Sequence, residues 1–443
     1  MRRWWWLAVA AMGLPLLAGE PPLSLSEALR EVSRSSAPAV ISGLDLEAAR
    51  DRTREARSAY YPSVDVEGGH TNLDNDPFFV FGPESFPAGE QVFWGYRVSA
   101  RQVLTDGGRR KTAIEAAHAE EAAATEEALD AVRRAQVEAV RLYVEVLSVR
   151  ARKEAVGKRR EALEDHHRVV NDLYEEGVVA RNDLLRTEVA LRGVEDQMRA
   201  LESAEHVALA SLNRGMGRDP SAPVEVSQAM PLPPPLPWTL ERCREKARDG
   251  NAAAGAAEAH AEAVSHAVSL ARKDYHPVSF VEAGHSYEQN RYMLYPHVNF
   301  LFVGLAWNVF DGGARAARAR EAERQEEKAQ RNVLEAQRMV AVLVERAFRD
   351  YHDSLAEVET ARDNVEAALE NLRIVNDQYS EGLARTTDVL DAESVLAESR
   401  MTLATQRYRA YTAQALLLAA VGEDLPAFYE GLSAAPPKEP KHP

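Results

Sequence analysis

Two carboxylates, Asp388 and Asp391, stand three positions apart a short distance after Tyr379. On a helix that spacing puts both on one face, where unneutralised negative charges repel each other and draw in cations. The plainer reading of the same residues is structural, with Asp388 as a helix cap and Asp391 as a favourable first-turn charge. Other chemistry is sparse. There is no glycine-rich phosphate loop, no Gly-x-Ser-x-Gly elbow and no His-Glu-x-x-His pair. His166 and His167 are adjacent, so they point to different sides of a helix and are expected to be solvated. His260 and His266 have poor ligand spacing, and His70, His276, His285 and His297 lie near strand ends, where ordinary interfacial positions account for them. Cys243 is the only cysteine, which excludes an intramolecular disulfide. A formal net charge of −16 argues against nucleic acid as a partner. Neither an enzyme nor a cofactor or metal site is expected.

The aspartates belong to a stretch, Asn376 to Leu396, that has a twin at Asn171 to Leu191. Asn171, Asp172, Tyr174, Glu176, Gly177, Asp183, Leu185, Glu188 and Leu191 recur 205 positions later. Each copy reads as a helix, a glycine turn and a second helix. Gly177 and Gly382 stand where the first helix must stop, since that position tolerates positive φ only cheaply in glycine. Asp183 and Asp388, the latter preceded by Thr387, can accept from free amides at the start of the next helix. Two long helices joined by so short a turn are antiparallel neighbours.

The rest of the chain is duplicated too. Residues 24–219 and 238–425 each read as a helix, a β-hairpin (62–104 and 277–310) and a long helical hairpin (109–215 and 314–420), joined by a Pro-rich linker at 220–237. Pro62 and Pro277 end the first helices, and alternating strands follow. Val64 and Val66 alternate with Asp65 and Glu67; Leu301, Val303, Leu305 and Trp307 form one face of another strand. The loop 73–91, with Phe78, Phe79 and Phe81, is expected to pack on a neighbouring loop or sit in an interfacial aromatic belt. Both second strands end in Asp-Gly-Gly, at Asp106-Gly107 and Asp311-Gly312, where the aspartate can cap the helix that follows. Rows such as Leu142, Val149, Val156, Leu163 and Val170, and Val344, Tyr351, Val358, Val365 and Leu372, repeat every seven residues, the mark of coiled-coil packing. At the start, Arg2 and Arg3, an uncharged run and Ala18 predict a secretory signal peptide over 1–18. The tail 426–443 is expected to be disordered.

Four strands cannot close a barrel, and strand edges in a bilayer must be paired, so strands that span require other copies of the chain. The motif Tyr379-Ser-x-Gly-x-x-x-Thr-x-Asp-Val-Leu-Asp-Ala closely resembles the periplasmic tip of TolC-type outer-membrane efflux proteins. The resemblance implies a mainly α fold with a small β part: a homotrimer whose long coiled-coil hairpins form a periplasmic α-barrel and whose four strands per chain complete a 12-stranded transmembrane barrel in outer-membrane lipid. It implies a passive export conduit served by a periplasmic adaptor and an inner-membrane pump. Asp388 and Asp391 would ring the periplasmic entrance, Tyr379 would help hold it closed, and Gly177, Asp183, Gly382, Arg385 and Thr387 would form tip turns that meet the adaptor. The family's Arg two residues after the glycine is Ala384 here, with Arg385 one later. The alternative, a soluble periplasmic coiled-coil adaptor or scaffold, has no use for four alternating strands.

Overall fold

The computed structural model describes residues 22–227 and 230–433; the signal segment expected at 1–18 lies outside them. Helix α1 (Leu25–Ser35) starts in a capping box, in which Ser24 Oγ accepts from the Glu27 amide at 3.3 Å and Glu27 Oε2 accepts from the Ser24 amide at 2.9 Å. Helix α2 (Ala37–Ser58) has proline in its first turn and ends just before Pro62. Strands β1 (Ser63–Asn72), β2 (Phe78–Phe81), β3 (Glu84–Pro87) and β4 (Val92–Thr105) follow, then the helical hairpin α3 (Arg109–Glu175) and α4 (Arg181–Met216). The second repeat runs α5 (Leu240–Gly250), α6 (Ala252–Lys273), β5 (Val278–Glu288), β6 (His297–Ala306), α7 (Ala314–Ser380) and α8 (Thr386–Ala420). A last helix, α9, spans Leu425–Ser433.

The repeats share one sheet. Its order is β1-β4-β5-β6, antiparallel throughout, so β4 of the first copy pairs with β5 of the second and β1 and β6 are left as edges. Helices α3 and α7 are 67 residues each, about 100 Å at 1.5 Å per residue. Their seven-residue rows point inward: Leu142, Val149, Val156, Leu163 and Val170 are all buried, as are Val344, Tyr351, Val358 and Leu372. The main core gathers Tyr143 and Leu147 from α3, Leu212 and Met216 from α4, and Tyr411, Leu417 and Leu418 from α8.

One part differs from the sequence reading. Of the tail expected to be disordered from 426, residues up to 433 belong to α9, because Leu425 and Tyr429 are buried against the core and Tyr429 donates to Gln414 Oε1 at 3.4 Å; 434–443 lie outside the described residues. The phenylalanines of loop 73–91 fold into the β2–β3 ribbon, where Phe78, Phe79 and Phe81 are exposed. The Pro-rich linker is strapped across the helices, with Tyr351 Oη donating to the Pro234 carbonyl and accepting from the Leu236 amide, both at 3.1 Å. Gln414 donates to the same Pro234 oxygen at 2.9 Å, and Tyr411 bonds the Pro231 carbonyl. Proline-rich chain has few amides of its own to donate, so its carbonyls are satisfied by helix side chains.

Candidate functional site

Two regions could serve a function: the sheet and the helical tip. In the sheet, successive side chains alternate between faces. One face carries Val64, Val66, Val98, Ala100, Val281, Leu301, Val303 and Leu305; the other carries Asp65, Glu67, Arg97, Arg101 and Glu282. The apolar face is bare, with Val66 and Leu301 each 73% exposed. Aromatic rings bound it at both ends: at the loop end Trp94, Tyr96 and Tyr287 pack together with ring centroids 5.1 to 6.1 Å apart, and Tyr60, Tyr61, Tyr275 and Trp307 stand at the end nearest the helices. Strands of 10 to 14 residues suit the roughly 9–11 needed to cross a bilayer. Among the described residues no helix is long and apolar enough to do so. On the charged face, the Arg101 guanidinium lies 3.8 Å from the centre of the Phe280 ring.

Each strand is tied to its long helix by the same device. Asp106 Oδ1 accepts from the Gly108 amide at 3.1 Å and Oδ2 from the Arg110 amide and Nε, both at 2.9 Å. Asp311 repeats this with the Gly313 amide at 3.1 Å and the Arg315 amide and Nε at 3.0 Å. Gly107 and Gly312 share a φ of 65°, in the left-handed region where a Cβ is strained. The arginines were not legible as partners: Arg110 also donates to the Val103 and Leu104 carbonyls and covers the Tyr60 ring, and Arg315 covers Tyr275. Burial pushes both aspartates up, but the amide and guanidinium donors outweigh it and hold them below the ordinary carboxylate value.

At the tip, Gly177 and Gly382 turn the chain at φ of 75° and 74°. Asp388 is the third residue of α8 and its Oδ2 accepts from the Arg385 amide at 2.8 Å, so it braces the turn from inside the helix and does not cap it from in front. Its twin Asp183 makes no such bond: α4 starts from Ala180 without a side-chain cap. Asp388 and Asp391 are both exposed on the first turns of α8. Thr387 and Asp391 line a groove with Leu185, Arg186 and Val189 of the first hairpin. Tyr379 Oη lies 3.4 Å from Thr386 Oγ1, and it is Thr386, not Thr387, that is buried.

The tip also holds residues that the sequence did not single out. A cavity of about 790 Å³ opens between the two hairpins, walled by Val169, Val178, Val179, Tyr379 and Val389. His166, expected to be solvated, reaches this cavity and packs on Tyr379 with ring centroids 5.1 Å apart. Burial, with help from neighbouring His167, holds its imidazole below the ordinary histidine value. Glu393 enters from α8 and is 7% exposed; burial pushes its carboxyl up, with Arg400 and Arg159 opposing the shift. Neither stands out in the sequence, because what makes each unusual comes from the opposite repeat.

These features define a protein with an exposed apolar sheet face on a long helical stalk. The chain belongs to the outer membrane efflux protein family, whose profile matches residues 42–218 and 244–423. Its class is that of an outer-membrane efflux channel. Among solved structures it is similar to the outer membrane protein VceC of Vibrio cholerae, at 17% identity and a TM-score of 0.73 over 90% of this chain and 96% of that one. It is also similar to the Campylobacter jejuni CmeC outer membrane channel, at 12% identity and a TM-score of 0.76 over 93% and 89% of the two chains. The open state of the Neisseria gonorrhoeae MtrE outer membrane channel matches at 16% identity and a TM-score of 0.73 over 90% and 89%. No curated protein matches the chain.

Proposed function

We propose that three copies of this chain assemble into one conduit, β6 of each pairing with β1 of the next to close a 12-stranded barrel in outer-membrane lipid. The supporting observation is the pair of unpaired edges on a sheet whose one face is apolar and exposed; in a bilayer an open edge leaves amides and carbonyls unsatisfied. The charged face, with Asp65, Glu67, Arg97, Arg101 and Glu282, then lines the lumen. Passage through the conduit itself is passive; the energy comes from an inner-membrane pump, linked through a periplasmic adaptor that meets the tip turns at Gly177, Asp183, Gly382, Arg385 and Thr387.

In this assembly Asp388 and Asp391 encircle the periplasmic entrance with no arginine at 384 to neutralise them, and Tyr379 holds the hairpin closed. Protein purified in detergent is expected at the mass of three chains; a well-folded monomer in ultracentrifugation would overturn the closure. In planar bilayers the closed channel is expected to favour cations and to be blocked by multivalent ones from the periplasmic side. Asp388→Asn with Asp391→Asn should abolish most of that block while the trimer stays intact. If the double variant keeps wild-type selectivity and block, the aspartates only brace helix α8.

A further inference from the structure

Two imidazoles interrupt the apolar face of the sheet at the end away from the helices. In the β5–β6 register His285 sits opposite Asn299 and His297 opposite Tyr287, so the two histidines are diagonal neighbours on one face. Their nearest ring nitrogens, His285 Nε2 and His297 Nδ1, are 3.4 Å apart. That is long for a hydrogen bond between nitrogens. It matches the nitrogen–nitrogen edge of a tetrahedral centre with bonds of about 2.0–2.1 Å, which is about 3.4 Å. A square-planar centre with similar bonds would need an edge of about 2.9 Å, so the spacing favours an ion that prefers tetrahedral geometry.

The surroundings prepare one ring for that role. Asn299 Oδ1 lies 2.8 Å from His285 Nδ1. With the amide oxygen accepting, the proton is fixed on Nδ1 and the Nε2 lone pair is left facing His297, the arrangement by which outer partners orient metal-binding histidines. The Tyr287 ring of β5 packs on His297 at 4.7 Å and the Tyr96 ring of β4 on His285 at 5.9 Å, which restricts both imidazoles. The last torsion of a histidine is broad, so a small ring rotation aims both lone pairs at one point.

We propose that His285 Nε2 and His297 Nδ1 form a binding site for a divalent transition metal of the zinc class, with water completing the tetrahedron. Its ligands come from both strands of one hairpin, so the bound ion pins β5 to β6 at the loop end. The test is calorimetric titration of the purified, chelator-stripped full-length protein in detergent with zinc chloride. One saturable site per chain is expected to disappear in His285→Ala and in His297→Ala, to weaken about tenfold or more in Asn299→Ala, and to persist in His276→Ala, a histidine at the other end of β5. Magnesium in excess should not compete, because it demands oxygen ligands. Where an alanine variant fails to fold, His285→Gln and His297→Gln carry the test, since they keep the side-chain bulk. Absence of saturable zinc binding, or an unchanged stoichiometry in the histidine variants, overturns the proposal.

Discussion

The two strand-to-helix junctions and the two tip turns are both products of one duplication, yet the junctions use their shared residues identically and the tips do not. At the junctions Asp106 and Asp311 accept from the same amide and guanidinium groups at distances that agree within 0.1 Å. At the tips the backbone turn is the same, but Asp388 braces its turn and Asp183 does not. The difference follows from what each motif must touch. A junction aspartate finds its donors within five residues, and its arginine covers a tyrosine of the same repeat, Tyr60 or Tyr275, so copying the sequence copies the structure. Each tip leans on the other repeat, with His166 of the first against Tyr379 of the second, and the two copies cannot play the same part in that contact.

The largest effect that would break this contrast lies at a junction. Arg110 and Asp106 are 13% and 11% exposed, so replacing the arginine strands a carboxylate with little access to water. Arg110→Ala is expected to cost about 3 kcal/mol in denaturant unfolding, and Arg315→Ala should destabilise in the same way. If only one junction variant is destabilised, the two are not equivalent after all. The pH dependence has a definite sign. Both aspartates are held below their ordinary value, so their contribution is complete above about pH 4 and is lost as pH falls through the depressed value.

Acidification acts earlier at the tip, and through two opposed groups. His166 is buried and held low, so packing around it weakens as pH falls below about 6.5 toward its folded value. Glu393 is held high, so its burial becomes less costly as pH falls through its raised value. The groups that face them are His167 and Asp165 on α3 with Arg159, and Arg400 on α8. Hydrogen exchange of the 376–396 hairpin between pH 7 and 5 separates the two: His166→Gln should remove the acid-induced loss of protection, and Glu393→Gln should make it larger. Equal profiles in all three proteins would mean that the cavity does not sense protons.

What was legible in the sequence is local or periodic. The heptad rows named the buried face of α3, because a seven-residue period fixes which side of a long helix meets its partner. Gly177, Gly382 and the Asp-Gly-Gly corners announced turns through backbone chemistry alone. Alternation separated Val64 and Val66 from Asp65 and Glu67 before any register was known. What stayed hidden depends on contacts between distant parts of the chain. Arg110 is one of many arginines until the strand end folds under it, and His166 looks solvated until α7 brings Tyr379 alongside. Helix α9 leaves no mark in the sequence because a nine-residue segment is too short to show a period, and its stability comes from Leu425 and Tyr429 finding the core.

The smallest effect sharpens the account of the proposed gate. Tyr379 has two contacts of different kinds, a ring packed on His166 and a hydroxyl 3.4 Å from Thr386 Oγ1. The hydroxyl bond is long and links two residues of the same hairpin, so removing it should cost no more than about 0.5 kcal/mol. Tyr379→Phe is therefore expected to raise the open fraction of single channels only about twofold, since RT is about 0.6 kcal/mol. The ring contact crosses between hairpins and walls the cavity, so Tyr379→Ala should open the channel further than Phe does. A Phe variant as open as the Ala variant would show that the hydroxyl, not the ring, holds the tip, and would return the lock to a bond within one hairpin.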